Sequence, residues 1–449
     1  MKKKIAIVVG GGIAGIISSL LIKKKFDDVY LIEQNKKIGG LFCSNTNNLG
    51  LTFDYGSHFL RGTGINELDE IILDGISEKN WLTLGNLKGG GYYRSKLNSQ
   101  TPFLDTRLLP EEIYKKGIKE ILDIKKENTK AHNLKDQLHS IFGKTFTDYI
   151  FEPIIKKKYF DCDLEKLSTN THKSFGLDKI LAFSPEETRE KKKQRIFDEK
   201  FSFHSSQEGH SDLQNYYPKK DGIELWINLL KAKLDAANIK IKAGANISNI
   251  FHSNGEVQSI TLSDGDKINC SKIIWTINPI LFSKYCKLIT KDELSGPPKK
   301  VFTSLHHFAF DKSFLTDVQY VACHEPSLDS YRVTLYPNIQ RIKNKFFHLT
   351  TEVILPKNID VLKLQKKILS ELSLMGIVSK KANLLYKHSE YLTAGYPLPT
   401  IELNSKIEKS VKMAREKIGN VVFIGRASGG TFITGSILSN AYKTIKEIN

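Results

Sequence analysis

Three glycines near the start of the chain have the spacing of an anion-binding turn. Gly10, Gly12 and Gly15 follow the apolar run Ile5 to Val9, and apolar residues resume directly after them. Gly10 permits a sharp turn, Gly12 lets backbone N–H groups approach a pyrophosphate, and Gly15 lets a helix pack closely against a strand. The free N–H groups at the start of that helix would face the anion. The pattern predicts a strand, a turn and a helix that bind a dinucleotide.

A carboxylate stands where such a unit needs a ligand for the adenosine ribose. The second apolar run, Val29 to Ile32, ends at Glu33, which can accept hydrogen bonds from ribose hydroxyls. A 2′-phosphate would be repelled there. A second glycine pair, Gly39-Gly40, follows Glu33 within a few residues.

The same stretch has an alternative interpretation as a targeting segment. Lys2-Lys3-Lys4, followed by mostly apolar residues to Ile22, imitates a secretory signal or a membrane anchor. Three consecutive glycines, the absence of a small-residue cleavage site and the immediate Lys23-Lys24-Lys25 argue against both. The dinucleotide-binding unit is therefore the favoured prediction.

The strong positive charge does not by itself indicate a nucleic-acid partner. The formal net charge is +18, but only nine of the 67 basic residues are arginine, and the lysines are spread along the chain. Arginine is the side chain that usually reads bases through bidentate contacts. We expect a small-molecule substrate, no nucleic-acid partner and no transmembrane segment. A negatively charged substrate fits the charge, whereas peripheral membrane contact and the oligomeric state stay open.

The cysteines have no spacing typical of a disulfide framework or a zinc site. They are odd in number, widely scattered and without a C-x-x-C pair: Cys43, Cys162, Cys270, Cys286 and Cys323. This usage predicts reduced thiols, no metal site and a cytoplasmic location.

A histidine follows a short strand-like segment that ends in a glycine. Phe53 and Tyr55 alternate before Gly56, Ser57 and His58. A glycine at that position predicts a close approach of the backbone to something flat or charged. His58 would then lie at the edge of the cofactor pocket, although a lone histidine is more often a packing residue.

Between residues 67 and 212 the sequence has helical patterns that are separated or followed by a glycine turn and a polar segment. It predicts a helix over 67–84 and a glycine turn at 88–91. A helical subdomain is predicted over about 110–160, and an exposed polar loop over 185–212.

The chain is then predicted to return to the nucleotide-binding part. A turn after Tyr217 opens a helix to about Leu234, and short strands follow between 239 and 276. Aromatic and β-branched runs between 302 and 391 predict strands of a mixed or antiparallel sheet, interrupted by a helix over 361–375.

The C-terminal block predicts a second anion or cofactor edge. A buried strand ends in Gly425-Arg426, and a loop from Thr431 enters a helix with Gly435 near its start. Arg426 is one of only nine arginines. It is favoured as a ligand contact over a structural ion-pair partner.

Together these motifs resemble the flavoproteins of the amine oxidase and protoporphyrinogen oxidase group and their relative UDP-galactopyranose mutase. The glycine loop with Glu33 and Gly39-Gly40 is similar to the FAD fingerprint of that group. Residues Phe53 to Phe59 are similar to its segment beside the isoalloxazine, and Tyr217-Pro218-Lys219 resembles its Tyr-Pro-Lys-Gly-Gly turn.

The C-terminal motif resembles the mutase-like branch, where a Gly-Arg pair replaces the Gly-Asp of ordinary oxidases. The chain departs from the mutase at the last helix, because Ile433-Thr434-Gly435-Ser436 stands where the mutase has Asn-Met-Asp.

The resemblance implies an α/β fold of the glutathione-reductase-like flavoprotein type. A Rossmann-like FAD-binding domain is expected at 1–90, 213–276 and 395–449. The inserted mixed α+β substrate domain, with the helical subdomain, is expected at 91–212 and 277–394. The implied catalytic residues are His58, Arg426 and Tyr217. The implied FAD contacts are Gly10, Gly12, Ile13, Ala14, Gly15, Glu33, Gly39, Gly40, Leu41, Gly56, Ser57, His58, Ile247, Gly425, Arg426, Gly435, Ser436 and Ile437.

Three functions are compatible with the resemblance. The first is an FAD-dependent oxidoreductase whose flavin accepts a hydride from a small, anionic or sugar-linked substrate. The second is a mutase-like, non-redox enzyme in which reduced flavin acts on a nucleotide sugar. The third is a flavin-binding protein that works through a partner. Arg426 would bind an anionic group or stabilise negative charge on reduced flavin, and no general base is identified.

Overall fold

The computed structural model describes residues 3–125, 130–209, 212–289, 300–341, 345–355, 359–428 and 433–448. Residues 210 and 211 of the predicted polar loop, and Thr431 of the predicted C-terminal loop, lie outside these ranges. The strands are β1 Ile5–Val9, β2 Asp28–Glu33, β3 Ser44–Thr46, β4 Thr52–Asp54, β5 Leu60–Arg61, β6 Trp81–Gly85, β7 Gly89–Tyr93, β8 Lys96–Asn98, β9 Leu104–Asp105, β10 Ile180–Leu181, β11 Asn215–Pro218, β12 Lys240–Ala243, β13 Ile247–Ser253, β14 Glu256–Leu262, β15 Lys267–Asn269, β16 Lys272–Trp275, β17 Lys300–Phe310, β18 Tyr320–Cys323, β19 Arg332–Leu335, β20 Phe347–Leu355, β21 Leu384–Pro397 and β22 Val421–Phe423.

The α-helices in the described ranges lie between these strands, singly or in pairs, and the last of them follows β22. They are α1 Ile13–Ile22, α2 Asn66–Leu73, α3 Glu111–Asp123, α4 Leu134–Phe146, α5 Pro185–Lys192, α6 Arg195–Asp198, α7 Glu224–Ala236, α8 Pro279–Tyr285, α9 Tyr336–Gln340, α10 Val361–Leu374, α11 Ile401–Lys417 and α12 Thr434–Lys446. None of the helices in the described ranges combines the length and apolar character needed to cross a bilayer.

The parallel sheet consists of five strands in the order β12-β2-β1-β16-β22, and every neighbouring pair runs parallel. In the register of its centre, Val8 lies opposite Leu31 and Ile274, and all three side chains are fully buried. Strands buried on both faces need continuous apolar sequence, which explains the run Ile5 to Val9. Helix α1 packs between this sheet and helices α7 and α12. The predicted Rossmann-like unit is confirmed.

The mixed sheet consists of seven strands in the order β21-β17-β20-β19-β18-β7-β8. Only the pair β18 and β7 runs parallel, and the other pairs are antiparallel. Helix α10 covers one face, where Ile368 and Leu372 are fully buried against strand residues such as Val353. The predicted mixed sheet between 302 and 391 is therefore present, and it recruits β7 and β8 from much earlier in the chain.

The helical subdomain is built on α3 and α4. A Cβ atom placed on Gly117 of α3 would lie 2.1 Å from the ring of Phe146, so the two helices approach where a side chain is missing. The core between them is lined by Leu138, Phe142 and Ile150, all nearly inaccessible. This agrees with the predicted helical segment at about 110–160.

Three local predictions were wrong. The helix predicted over 67–84 ends at Leu73, because the chain turns at Gly75 with a φ of +88° and enters β6. The polar loop predicted over 185–212 contains α5, whose N-terminus is a capping box formed by Ser184 and Glu187. The glycine turn predicted at 88–91 is strand β7.

Strand β7 tolerates three glycines because its neighbours occupy the space of their side chains. A Cβ on Gly89 would lie 2.6 Å from the ring of Tyr320, and a Cβ on Gly91 would lie 3.0 Å from the carbonyl oxygen of Pro102.

The predicted division into an FAD-binding and a substrate domain stays a prediction. Two of the predicted domain boundaries, at 90/91 and 394/395, fall inside strands β7 and β21 of the mixed sheet.

Candidate dinucleotide and substrate site

The glycine loop, residues 10–15, is fixed by backbone hydrogen bonds at the end of the parallel sheet. The N–H of Gly10 donates to the carbonyl oxygen of Ile32 at 2.8 Å, and the N–H of Gly39 donates to that of Gly11 at 2.7 Å. The second glycine pair thus lies directly against the first loop. A Cβ on Gly40 would be only 3.4 Å from the Cα of Gly12.

The three glycines of the motif have different steric environments. A Cβ on Gly15 would be 1.8 Å from the carbonyl oxygen of Gly10, so helix α1 can sit on the loop only without a side chain there. Gly10 has a φ of +104°, a conformation that favours glycine. A Cβ on Gly12 would meet nothing within 4 Å. The space beside Gly12 is thus open for a ligand, whereas Gly10 and Gly15 are needed by the fold itself.

Glu33 lies at the end of β2 with its carboxylate turned to the same loop. Its Oε2 accepts the N–H of Gly11 at 2.7 Å, and its Oε1 accepts both the backbone and side-chain N–H of Asn35 at 2.8 Å. A carboxylate has about four acceptor positions. Oε2 therefore keeps capacity for a hydroxyl donor such as a ribose.

The C-terminal glycine of the predicted second edge meets the first loop. Gly425, with a φ of +97°, follows β22, and a Cβ there would lie 3.3 Å from the carbonyl oxygen of Thr276 and 3.5 Å from the Cβ of Ala14. The N–H of Thr276 in turn donates to the carbonyl oxygen of Val9 at 3.0 Å. The carboxyl ends of β1, β16 and β22 therefore converge, as ligand sites of parallel sheets do.

Two cavities lie beside the start of α12, and the second of them also reaches Thr276 at this convergence. The first, of about 790 Å³, lies between the segment Ser57-His58 and the start of α12, where Gly435 and Ser436 line it. The second, of about 610 Å³, is lined by Arg426 and by residues of the segment Ser168 to Ser174, which follows the helical subdomain. Ile433 lines both cavities.

His58 lies in the histidine strap, which we define as Gly56, Ser57 and His58. Its ring packs 4.8 Å from the ring of Phe42, and its Nε2 lies 3.2 Å from the carbonyl oxygen of Tyr55. Burial, and then the charge of Arg332, lower the pKa of His58 to about 4. The imidazole is therefore neutral at neutral pH and can act as a hydrogen-bonding group but not as a cation.

An ion pair under the strap was missed by the sequence analysis. Arg332 of β19 donates from Nε and Nη2 to the two carboxylate oxygens of Glu352 of β20, at 2.7 and 2.8 Å. Burial raises the pKa of the adjacent Tyr331 to about 12. The sequence did contain a signal for this pair, because Arg332 and Glu352 each lie inside a strand-like apolar run. A charged residue is rare at such a position unless an opposite charge pairs with it.

Tyr217 lies apart from both cavities among the described residues. Its side chain is 1% exposed, and its hydroxyl donates to Oδ2 of Asp54 at 2.6 Å. Asp54 also accepts from Ser44 and from the N–H of Ile223. Burial raises the pKa of Asp54 to about 6. These contacts join β4, β11 and the start of α7, and they give the predicted catalytic role of Tyr217 no support.

The remaining predicted contacts lie around the parallel sheet. Ile247 begins β13 in an apolar cluster with Ile32, and the N–H of the nearby Ala245 donates to the carbonyl oxygen of Glu33 at 3.0 Å. Ile13 and Ile437 pack against the core on the α1 side. Leu41 is half-buried beside the second glycine pair. No group of three or more His, Cys, Asp or Glu side chains in the described ranges is arranged to hold a metal ion.

The chain combines a Rossmann-type parallel sheet, whose glycine loop has the geometry of a dinucleotide-binding turn, with a second, mixed sheet. A family model of the NAD(P)-binding Rossmann-like domain matches residues 8–70. All-trans-retinol 13,14-reductase of Rattus norvegicus is 36% identical over 73 residues, which are 16% of this chain and 12% of that protein. An uncharacterized protein in the nifH2 3′ region of Methanothermococcus thermolithotrophicus is 44% identical over 52 residues, 12% of this chain and 49% of that protein. The chain thus spans about half or less of these curated relatives.

Solved structures match over nearly the whole chain. Reduced UDP-galactopyranose mutase superposes with a TM-score of 0.76 at 17% identity, over 99% of this chain and 92% of the other. A protein from Exiguobacterium sp. 255-15 described as a protoporphyrinogen oxidase gives 0.69 at 16% identity, over 99% and 98%. Putrescine oxidase bound to putrescine gives 0.63 at 13% identity, over 99% and 98%. These are the groups that the sequence motifs resemble, and the resemblance is confirmed for the fold.

Proposed function

We propose that the chain binds FAD where β1, β16 and β22 converge and uses it to oxidise a small polar substrate. The observation that carries this proposal is the open space beside Gly12. The fold does not need a glycine there, because the conformation is an ordinary one with a φ of −74° and a Cβ would meet nothing within 4 Å. A glycine is needed at Gly12 only if a ligand approaches the backbone.

The residues present fit a dinucleotide whose adenosine ribose carries no 2′-phosphate. Helix α1 begins directly after Gly12 and has no acidic residue in its first turn, so its N–H groups and dipole can face a pyrophosphate. Glu33 keeps acceptor capacity for ribose hydroxyls beside the same loop. A 2′-phosphate would be repelled by the Glu33 carboxylate, which disfavours NADP-type cofactors.

The distal part of the cofactor would lie between Gly425 and the start of α12. In this placement Ser57, His58, Gly435 and Ser436, which line the first cavity, would contact the cofactor as predicted. The parallel sheet would then bind the cofactor, and the mixed sheet and helical subdomain would bind the substrate. When bound, FAD supplies a hydride acceptor.

The protein's own residues would orient the substrate and set the local charge. Arg426 offers a guanidinium to an anionic group at the wall of the second cavity. His58, neutral because of its lowered pKa, would offer a hydrogen bond without adding charge.

A second candidate function, a mutase-like enzyme, is favoured by the chemistry of the second cavity. Its wall carries hydroxyl and amide side chains together with two cations, and no carboxylate of a described residue lines it. Hydroxyl and amide groups are the usual partners of sugar hydroxyls, and the cations would suit a phosphate. A diamine would find no anionic partner among these lining residues.

Anaerobic photoreduction separates the two functions. We expect the purified protein to retain FAD, and a substrate that bleaches the bound flavin would support the oxidoreductase. Turnover of a nucleotide sugar only after prereduction would support the mutase-like function instead. If neither occurs and flavin reduction depends on an added protein, the chain acts through a partner.

A further inference from the structure

Glu352 connects the mixed sheet to the histidine strap. Its carboxylate accepts two hydrogen bonds from Arg332 and a third from the backbone N–H of Ser57, at 3.0 Å. The Glu352 side chain is only 9% exposed. The strap is 295 residues away in sequence, so this contact is a tertiary one that joins the two parts of the site.

Gly56 allows the strap to lie directly on this carboxylate. Its φ is +116°, and a Cβ there would be 3.1 Å from Oε2 of Glu352 and 3.4 Å from Nε2 of His58. A side chain at this position would therefore push the strap away from Glu352. The backbone conformation and the hydrogen bond at Ser57 both depend on the same close approach.

The strap in turn defines the orientation of the His58 ring. Nε2 faces the carbonyl oxygen of Tyr55, which can only accept, so we assign the ring proton to Nε2. A neutral imidazole then carries its lone pair on Nδ1.

We propose that Glu352 is a positioning residue that holds the histidine strap at the cofactor edge and neutralises the Arg332 guanidinium beside it. This inference rests on the proposed function, because it requires a flavin next to the strap. Glu352 itself is not expected to touch the substrate. Its effect is exerted through Ser57 on the strap and through Arg332 on the local charge.

The two effects can be measured on the bound flavin without turnover. Glu352→Gln keeps an amide oxygen for the Ser57 N–H but leaves the charge of Arg332 uncompensated. A positive charge near the flavin stabilises its reduced, anionic form. We expect Glu352→Gln to shift the reduction potential to a more positive value and to change the visible absorption spectrum of the bound flavin.

A buried glutamate in the same part of the molecule provides a matched control. Glu371 is 3% exposed and accepts hydrogen bonds from the N–H groups of Asp329 and Ser330 and from the Ser330 hydroxyl. Glu371→Gln should disturb the fold as much as Glu352→Gln does. Because Glu371 has no contact with the strap, its replacement should leave the flavin potential and spectrum as in the wild type.

A double variant separates the charge effect from the positioning effect. Replacing both partners of a buried ion pair often leaves the fold intact. Arg332→Met/Glu352→Leu removes the ion pair and also the acceptor of the Ser57 N–H. It is therefore expected to fold, to return the potential towards the wild-type value and to keep an altered flavin spectrum. A wild-type spectrum in the double variant would overturn the positioning role.

Two results would overturn the whole inference. One is a Glu352→Gln protein that binds flavin with wild-type potential and spectrum, and the other is an equal shift in Glu371→Gln. A wild-type protein that retains no flavin would instead refute the proposed function, so the two failures are distinguishable.

Discussion

The parallel sheet and the mixed sheet contribute to the site by different means. The parallel sheet presents backbone groups: the glycine loop, the start of α1 and the turn at Gly425 meet at its carboxyl edge. The mixed sheet presents charged and aromatic side chains from inside its strands, above all Arg332 and Glu352. The backbone contacts of the parallel sheet should therefore be lost when a side chain is added to one of its glycines. The contacts of the mixed sheet should be lost when a charged side chain is replaced or when a neutral one is protonated.

Acid should affect the mixed sheet first, and this is the largest expected effect. Burial lowers the pKa of three histidines in or beside its strands to about 4, namely His306, His324 and His348. Their folded-state pKa lies below the unfolded one, so the stability is present above pH 6.5 and is lost as the pH falls towards 4. A shift of this size corresponds to roughly 3 kcal/mol for each histidine.

Hydrogen exchange at pH 7 and pH 5 measures this difference. The strands of the parallel sheet contain no histidine. We expect amides of β17 and β20 to lose protection on acidification before those of β1 and β16. Loss of protection in β1 and β16 before β17 and β20 would contradict the expectation that acid destabilises the mixed sheet first.

Gly15→Ala should be the most damaging single substitution in the glycine loop, where helix α1 meets the parallel sheet. The new Cβ would lie 1.8 Å from the carbonyl oxygen of Gly10, and neither backbone can move without breaking the contact of α1 with the sheet. We expect a loss of about 3 kcal/mol in the free energy of unfolding. Gly419→Ala is the control, because a Cβ there would lie 4.0 Å from its nearest neighbour and outside the glycine loop. Equal losses in the two variants would show that the steric difference is not real.

Arg332→Met tests the mixed sheet by removing a charge. Among the described residues Glu352 would keep only the Ser57 N–H as a side-chain partner, and a buried carboxylate without its cation is costly. The expected loss is about 2 kcal/mol by denaturant unfolding. The double variant Arg332→Met/Glu352→Gln should lose less, and a larger loss there would contradict the charge argument.

The smallest effect is expected for an exposed pair at the edge of the parallel sheet. Lys240 lies 3.1 Å from Asp28, and their side chains are 47% and 18% exposed. Lys240→Ala should cost less than about 1 kcal/mol. A loss of unfolding free energy as large as that of Arg332→Met would mean that burial does not determine how much an ion pair contributes to stability.

The parallel sheet could be predicted from sequence because its determinants are local. Gly10, Gly12, Gly15 and Glu33 lie within one strand-helix-strand unit, so their spacing is visible directly. Gly425 was also recognisable, since it follows a buried strand. The convergence of the two ends of the chain depends only on strand order, which the Rossmann topology fixes.

The mixed sheet was less predictable because its determinants are distant. Strand β7 looked like a turn, since glycines normally weaken strands, and its partner Tyr320 is more than 200 residues away. The pairing of Arg332 with Glu352 and of Glu352 with Ser57 depends on the register of β19 and β20 and on the placement of the strap. None of these follows from hydrophobic periodicity.

The most direct test of the account is flavin retention by Gly12→Val. The valine should fit the fold but project into the space beside the loop, so the purified variant is expected to fold and to lose the visible flavin absorbance of the wild type. Gly419→Val is the control, because a Cβ there would lie 4.0 Å from its nearest neighbour and far from the loop along the chain. A folded Gly12→Val protein that retains FAD as well as the wild type would contradict the assigned cofactor site.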